Sequence, residues 1–135
     1  MRNWTGPILT LSLIASAAQA HHSLSGYDRG RNVLADGVVE EFHFVNPHPY
    51  LMIGVTDPSG VRQIWRLEMD NLHELDEIGI SKTTFKPGDL VTVSGWPDRT
   101  EPRSIYLLRL DRPSDGLRYE QIGSSPRLTG ARGPG

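Results

Sequence analysis

The chain contains no cysteine, which removes disulfides, thiolate metal ligands and cysteine nucleophiles at once. Stability therefore has to come from packing and hydrogen bonding. No apolar run reaches the roughly 20 residues that a bilayer-crossing helix needs. Charge of one sign is also scarce: 14 Lys and Arg stand against 16 Asp and Glu, a formal net charge of -2. The basic footprint that nucleic-acid binding leaves is thus missing. No Ser sits in a nucleophile elbow, no Gly-rich loop is placed to cradle phosphate, and no HExxH pair is present, so hydrolysis by those routes is not expected.

What is present begins with a targeting pattern. Arg2, the apolar stretch from Ile8 to Ala18 and the small-residue site Ala18-Gln19-Ala20 read as a signal peptide, residues 1–20, cut after Ala20. A periplasmic or secreted protein follows, with no membrane span in its mature chain. Cleavage removes Arg2 and keeps every acid, leaving the mature protein slightly more acidic. It also makes His21 the new terminus, followed by His22 and Ser23. A free amine and two imidazoles in one place suit Cu(II) or Zn(II).

The remaining length fits one small domain, residues 21–110. Residues 111–135 read as a flexible tail, because Pro113, Pro126, Pro134 and five glycines leave few large apolar side chains to bury. Only the piece from Leu117 to Ile122 has the character to dock on the rest. Strands are expected from Val33 to Val45, with Gly37 marking a bulge, from Tyr50 to Val55 and from Val61 to Glu68. Prolines in Asn46-Pro47-His48-Pro49 stop the first strand, and Asp57-Pro58-Ser59-Gly60 turns the second into the third. A helix follows: Asn71 caps it, Glu74 is its capping-box partner, Leu72, Leu75 and Ile78 form its stripe, and Gly79 ends it. Phe85 to Asp89 turns the chain into a fourth strand at Leu90, Val91 and Val93, and Ile105 to Leu110 makes a fifth. The fold class is therefore mainly β, a small five-stranded OB-like Greek-key barrel with one short helix between strands three and four. A split sandwich of the same strands is the competing architecture.

His21-His22-Ser23 after an Ala-x-Ala site, Tyr27-Asp28, Glu41-Phe42, Asn46-Pro47-His48, Trp65 with Glu68, and Lys86-Pro87-Gly88-Asp89 with Val91 and Val93 form an ordered set. The set resembles a family of small exported bacterial proteins catalogued as a domain of unknown function, over roughly residues 15–95. The resemblance implies an exported barrel-like domain and supplies no reaction. Phe44 stands where that family often has Trp, Asp70-Asn71 where Ser-Pro is common, and Thr100-Glu101-Pro102-Arg103 where it has a Gly-rich approach to the last strand. These departures suggest a separate branch and leave the nitrogen donors intact.

The metal reading assigns the ligands His21, His22 and His48, with Cu or Zn as the ion. The amine and ring of His21 chelate it, and His48, in its Pro-flanked turn, completes a histidine brace. If His21 and His22 bind together with their backbone amide, the site is a peptide chelate that needs no barrel. His43 reads as a packed or surface strand residue, and His73 as a solvated one. Glu40-Glu41 and Glu68-Asp70 read as solvated or capping carboxylates, so binding is expected ahead of catalysis. The alternative is a metal-free OB-type module for an oligosaccharide, a peptide or a partner protein, with Trp96 and Tyr50 as stacking surfaces. Trp65 reads as core.

Overall fold

The computed structural model describes residues 24–130. Its strands are β1 (Val33–His43), β2 (Tyr50–Thr56), β3 (Arg62–Glu68), β4 (Leu90–Pro97), β5 (Ser104–Arg112), β6 (Leu117–Ile122) and β7 (Ser125–Thr129), with helix α1 (Leu72–Glu77) between β3 and β4. Hydrogen-bonded order runs β3-β2-β1-β4-β5-β6-β7. Parallel pairing of Arg66, Leu67 and Glu68 with Ser104, Ile105 and Tyr106 joins β3 to β5. That contact closes the first five strands into the expected OB-like barrel, and β6 and β7 extend it. No described helix is long and apolar enough to cross a membrane.

β1 is long because it serves two neighbours: residues 33–38 pair with β4 and residues 38–43 with β2. The bulge that bends it lies between Val39 and Glu41 rather than at Gly37. Val33, Ala35 and Val39 pack inward before the extra residue, and Phe42 and Phe44 after it, so the bulge resets the period-2 alternation. Gly37 serves a different end: a Cβ there would lie 2.8 Å from Cδ1 of Ile53, a fully buried residue. β5 repeats the device, since its register against β4 shifts between Ser94 and Gly95. Leu107 and Leu110, which flank the shift, both reach the core.

The tight turn expected at Asp57 to Gly60 between β2 and β3 forms. Asp57 Oδ1 accepts from the amides of Ser59 (2.9 Å) and Val61 (3.0 Å), and Gly60 takes φ 85°. At the end of β3, Asn71 caps α1 by accepting from the Glu74 amide at 3.0 Å. The reciprocal half of the box is absent, because Asp70 Oδ1 takes the Asn71 amide at 2.7 Å. Glu74 is left with a buried Oε2 that has no partner. Leu75, Ile80 and Phe85 close one end of the core.

Residues 111–129 do not form a flexible tail. β5 runs on to Arg112, and Leu117 and Tyr119 of β6 are 4% and 0% exposed, inserted into the main core. Two large side chains suffice because Arg112 fixes the turn that delivers them. Its Nη1 donates to Asp89 Oδ2 (2.8 Å) and the Thr84 carbonyl (2.6 Å), while Nε and Nη2 fork onto Asp115 at 3.0 and 2.7 Å. The Lys86-Pro87-Gly88-Asp89 motif thus has a structural task. Gly88, at φ 93°, donates its amide to Val39 O, and Asp89 O accepts from the Val39 amide, both at 2.8 Å. Asp89 also caps the Lys86 amide at 3.0 Å.

Candidate functional site

His48 sits in the loop between β1 and β2, half-buried and flanked by Pro47 and Pro49; the Asn46–Pro47 peptide bond is cis. The loop is tied to the end of β3: the Met69 amide donates to Pro49 O (2.9 Å) and the Leu72 amide to Pro47 O (3.3 Å). The Nδ1 of His48 lies 3.2 Å from the Met69 carbonyl. A carbonyl only accepts, so Nδ1 carries a proton and Nε2 is the ring nitrogen left to take a further partner. A ring oriented in this way by a carbonyl is one arrangement in which histidine serves metals.

The segment entering β1 lies against the same region. Leu24–Gly26 forms a single 3-10 turn, the Arg99 amide donates to Gly26 O (2.9 Å), and the Asp28 amide donates to Pro97 O (2.8 Å). Tyr27, 4% exposed, stands outside the main core, its ring 5.6 Å from that of Tyr106. Its hydroxyl donates to Glu68 Oε2 at 2.7 Å. Burial, then the Glu68 carboxylate, holds that hydroxyl far above the usual tyrosine range, and burial does the same for Tyr106. Residues 68 and 69 therefore receive both the entering segment and the His48 ring.

Register explains the surroundings. His43 pairs with Tyr50, Tyr50 with Glu68, Glu68 with Tyr106 and Tyr106 with Trp96, and cross-strand partners share a face. The Tyr50 ring stacks on His43 at 4.4 Å and 10°, and the Arg66 guanidinium lies 4.2 Å from its centroid. Two partners that close must take opposite faces. Trp96 stacks on Tyr106 at 5.9 Å and carries the Arg29 guanidinium at 5.0 Å. Trp65 packs against the core.

The other candidate groups are spoken for. His43 Nε2 contacts Glu41 at 2.6 Å and His73 contacts Glu77 at 3.2 Å. Glu40 pairs with Arg62, and Glu68 with Arg66 at 3.3 Å. His21 and His22 lie outside the described residues, so of the three expected metal ligands only His48 is placed. Among the described residues no group of three or more His, Cys, Asp or Glu is arranged to hold a metal ion; a site at His48 has to be completed by other donors. Sequence reasoning missed Tyr27 as an anchor. Its signal was a large aromatic placed before any strand, directly after a polar start.

A family model described as "Family of unknown function (DUF6152)" matches residues 10–105. The chain belongs to that family of unknown function. No curated protein matches it.

Proposed function

We propose that the mature protein is an exported binding domain for a transition metal, Cu(II) or Zn(II). The amine and ring of His21, bared by cleavage after Ala20, chelate the ion, and His48 Nε2 supplies the next nitrogen. His22 is the local alternative donor. The observation that carries the reading is convergence on consecutive residues: Tyr27 ends on Glu68 and His48 on Met69. His21 precedes Tyr27 by six residues, which span at most about 20 Å when extended. The trimmed end therefore has the reach to meet the His48 loop. Nitrogen donors without thiolates, in a chain free of cysteine, fit both ions. The stacking alternative has less support, because both faces of Tyr50 are occupied and Trp96 already carries two partners.

The test is a Cu(II) titration of three proteins: one beginning at His21, one with a single extra residue before it, and the His48→Ala variant of the first. Only the first should bind tightly, with losses of about 100-fold or more in the others, since each lacks one arm of the chelate. Equal affinity in all three would remove the site. The mass of the exported protein should correspond to a chain that begins at His21.

A further inference from the structure

We propose that the outer face of β1, β4 and β5 carries a binding site for a neutral sugar ring, whose adjacent hydroxyls are recognised by the Arg109–Asp111 pair. A shallow cleft of about 320 Å³ lies there, lined by Asn32, Leu34, Thr92, Ser94, Arg109 and Asp111. That volume is at the small end of ligand clefts, which run from ~300 to ~1,000 Å³. The cleft stands at the opposite end of β1 from the His48 loop and its ligand needs no metal, so it goes beyond the metal reading and does not depend on it.

Two rows of cross-strand partners build the site. Leu34 pairs with Ser94 and Ser94 with Arg109, while Asp36 pairs with Thr92 and Thr92 with Asp111. The bulge in β5 decides that Arg109 belongs to this face. Ile105 and Leu107 point into the core, and strict alternation would send residue 109 after them. The register shift opposite Ser94 and Gly95 inserts one extra residue, so Leu110 takes the inward place and Arg109 and Asp111 turn outward.

The polar groups are held in place yet keep bonding capacity. Arg109 Nε donates to Asp111 Oδ2 at 2.7 Å, and Arg118 Nε donates to Oδ1 of the same carboxylate at 2.6 Å. The Nη groups of Arg109 and the side chains of Asn32 and Ser94 have no hydrogen-bond partner among the described residues. Each Asp111 oxygen keeps a lone pair beyond its guanidinium bond, and Thr92 Oγ1, which donates to Asp36 at 2.6 Å, can still accept. Donors and acceptors thus share one cleft, which suits hydroxyl groups, since each O–H both gives and takes a hydrogen bond. Charge argues against an anion: Asp36, Asp111 and Glu120, the residue opposite Arg109 on β6, occupy neighbouring positions on the same face. Leu34, 73% exposed, supplies an aliphatic wall for the C–H side of a ring.

The test is an NMR titration of the metal-free mature protein with D-glucose, D-galactose and D-mannose, with succinate as an anionic probe and cyclohexanol as a ring without adjacent hydroxyls. At least one sugar should give saturable shifts at the amides of Asn32, Leu34, Ser94 and Arg109. Arg109→Gln and Leu34→Gln should each weaken that binding about tenfold, through loss of a charge-assisted hydrogen bond in one and of apolar contact in the other. The replaced side chains are 46% and 73% exposed, so both variants keep the fold, and an unchanged thermal midpoint checks it. No saturable shift with any of the three sugars, shifts confined to other residues, or unchanged affinity in either variant overturns the proposal. So does succinate or cyclohexanol binding at least as tightly as the sugars, which would make the cleft an anion site or a bare apolar patch.

Discussion

Arg112, the last residue of β5, ties the distant loop at Thr84 and Asp89 to the adjoining turn at Asp115. It is 8% exposed and makes four hydrogen bonds, all at 3.0 Å or less. Arg112→Met keeps much of the stem and removes every donor. Breaking a fully buried ion pair costs about 3–5 kcal/mol. Here the Asp89 and Asp115 side chains are 22% and 28% exposed, so water partly compensates and the expected loss is about 3 kcal/mol. For a domain of this size that is a fall of roughly 12 °C in the thermal midpoint. Urea unfolding followed by Trp fluorescence should show a lower midpoint with an unchanged slope. Acid supplies a second check. The Arg112 hydrogen bond holds the Asp115 carboxyl below its usual range. A depressed carboxyl stabilises the fold fully above its ordinary value and loses that contribution as pH falls through the lowered one. The gap between wild type and Arg112→Met should therefore be widest near neutrality and narrow in acid. A loss below about 0.5 kcal/mol, the range of an ordinary surface substitution, or a gap that widens in acid, would refute the reasoning.

Two further outcomes follow from the geometry. Burial, then the neighbouring Asp70, raises the Glu74 carboxyl above its ordinary range; such a group favours the fold below its ordinary value and loses that contribution as pH rises. Glu74→Gln should accordingly melt higher than wild type at neutral pH and lose the advantage in acid, and thermal melts across that range would expose an error of sign. Gly95→Ala and Gly54→Ala should differ sharply. A Cβ on Gly95 collides with the Tyr106 carbonyl, backbone that cannot step aside, at a cost of about 2–3 kcal/mol. At Gly54 it would meet the movable ends of Arg62 and Glu40, at a cost within about 1 kcal/mol. Equal costs in urea unfolding would contradict this.

Turn chemistry makes the barrel legible in the sequence. Asp57 to Gly60 turns one strand into the next, Asn71 starts the helix and Gly79 follows its end, each for a local reason that holds in the structure. The five barrel strands and the place of the helix followed, while two further strands did not. The bulge at Glu40 was not legible, because an extra residue shows only as a lapse in alternation and Gly37 looked like its cause. The ordering of β6 and β7 was hidden for a different reason. Composition counts apolar side chains, whereas Leu117 and Tyr119 are brought inward by a guanidinium that ties their turn at Asp115 to the distant loop at Asp89. Likewise Glu74 has the spacing of a capping-box residue, but adjacent Asp70 competes for the same amide and wins by proximity.

The site divides along the same line. Residue type and a Pro-flanked loop were enough to single out His48, but the state of its ring depends on a carbonyl 21 residues away. Tyr50 and Trp96 looked available in sequence because nothing there reveals that Arg66 and Arg29 lie across them. The decisive arrangement is made by one strand end. Alternation along β3 sends the Glu68 side chain outward, where Tyr27 can reach it, and the next residue, Met69, buries its side chain while offering its carbonyl to His48. An inward methionine and an outward glutamate are what any half-buried strand displays, so their sequence signature is that of ordinary packing. Closure of β3 on β5 brings Tyr106 beneath Tyr27, so the Tyr27 segment and the His48 loop come to consecutive residues at the end of β3.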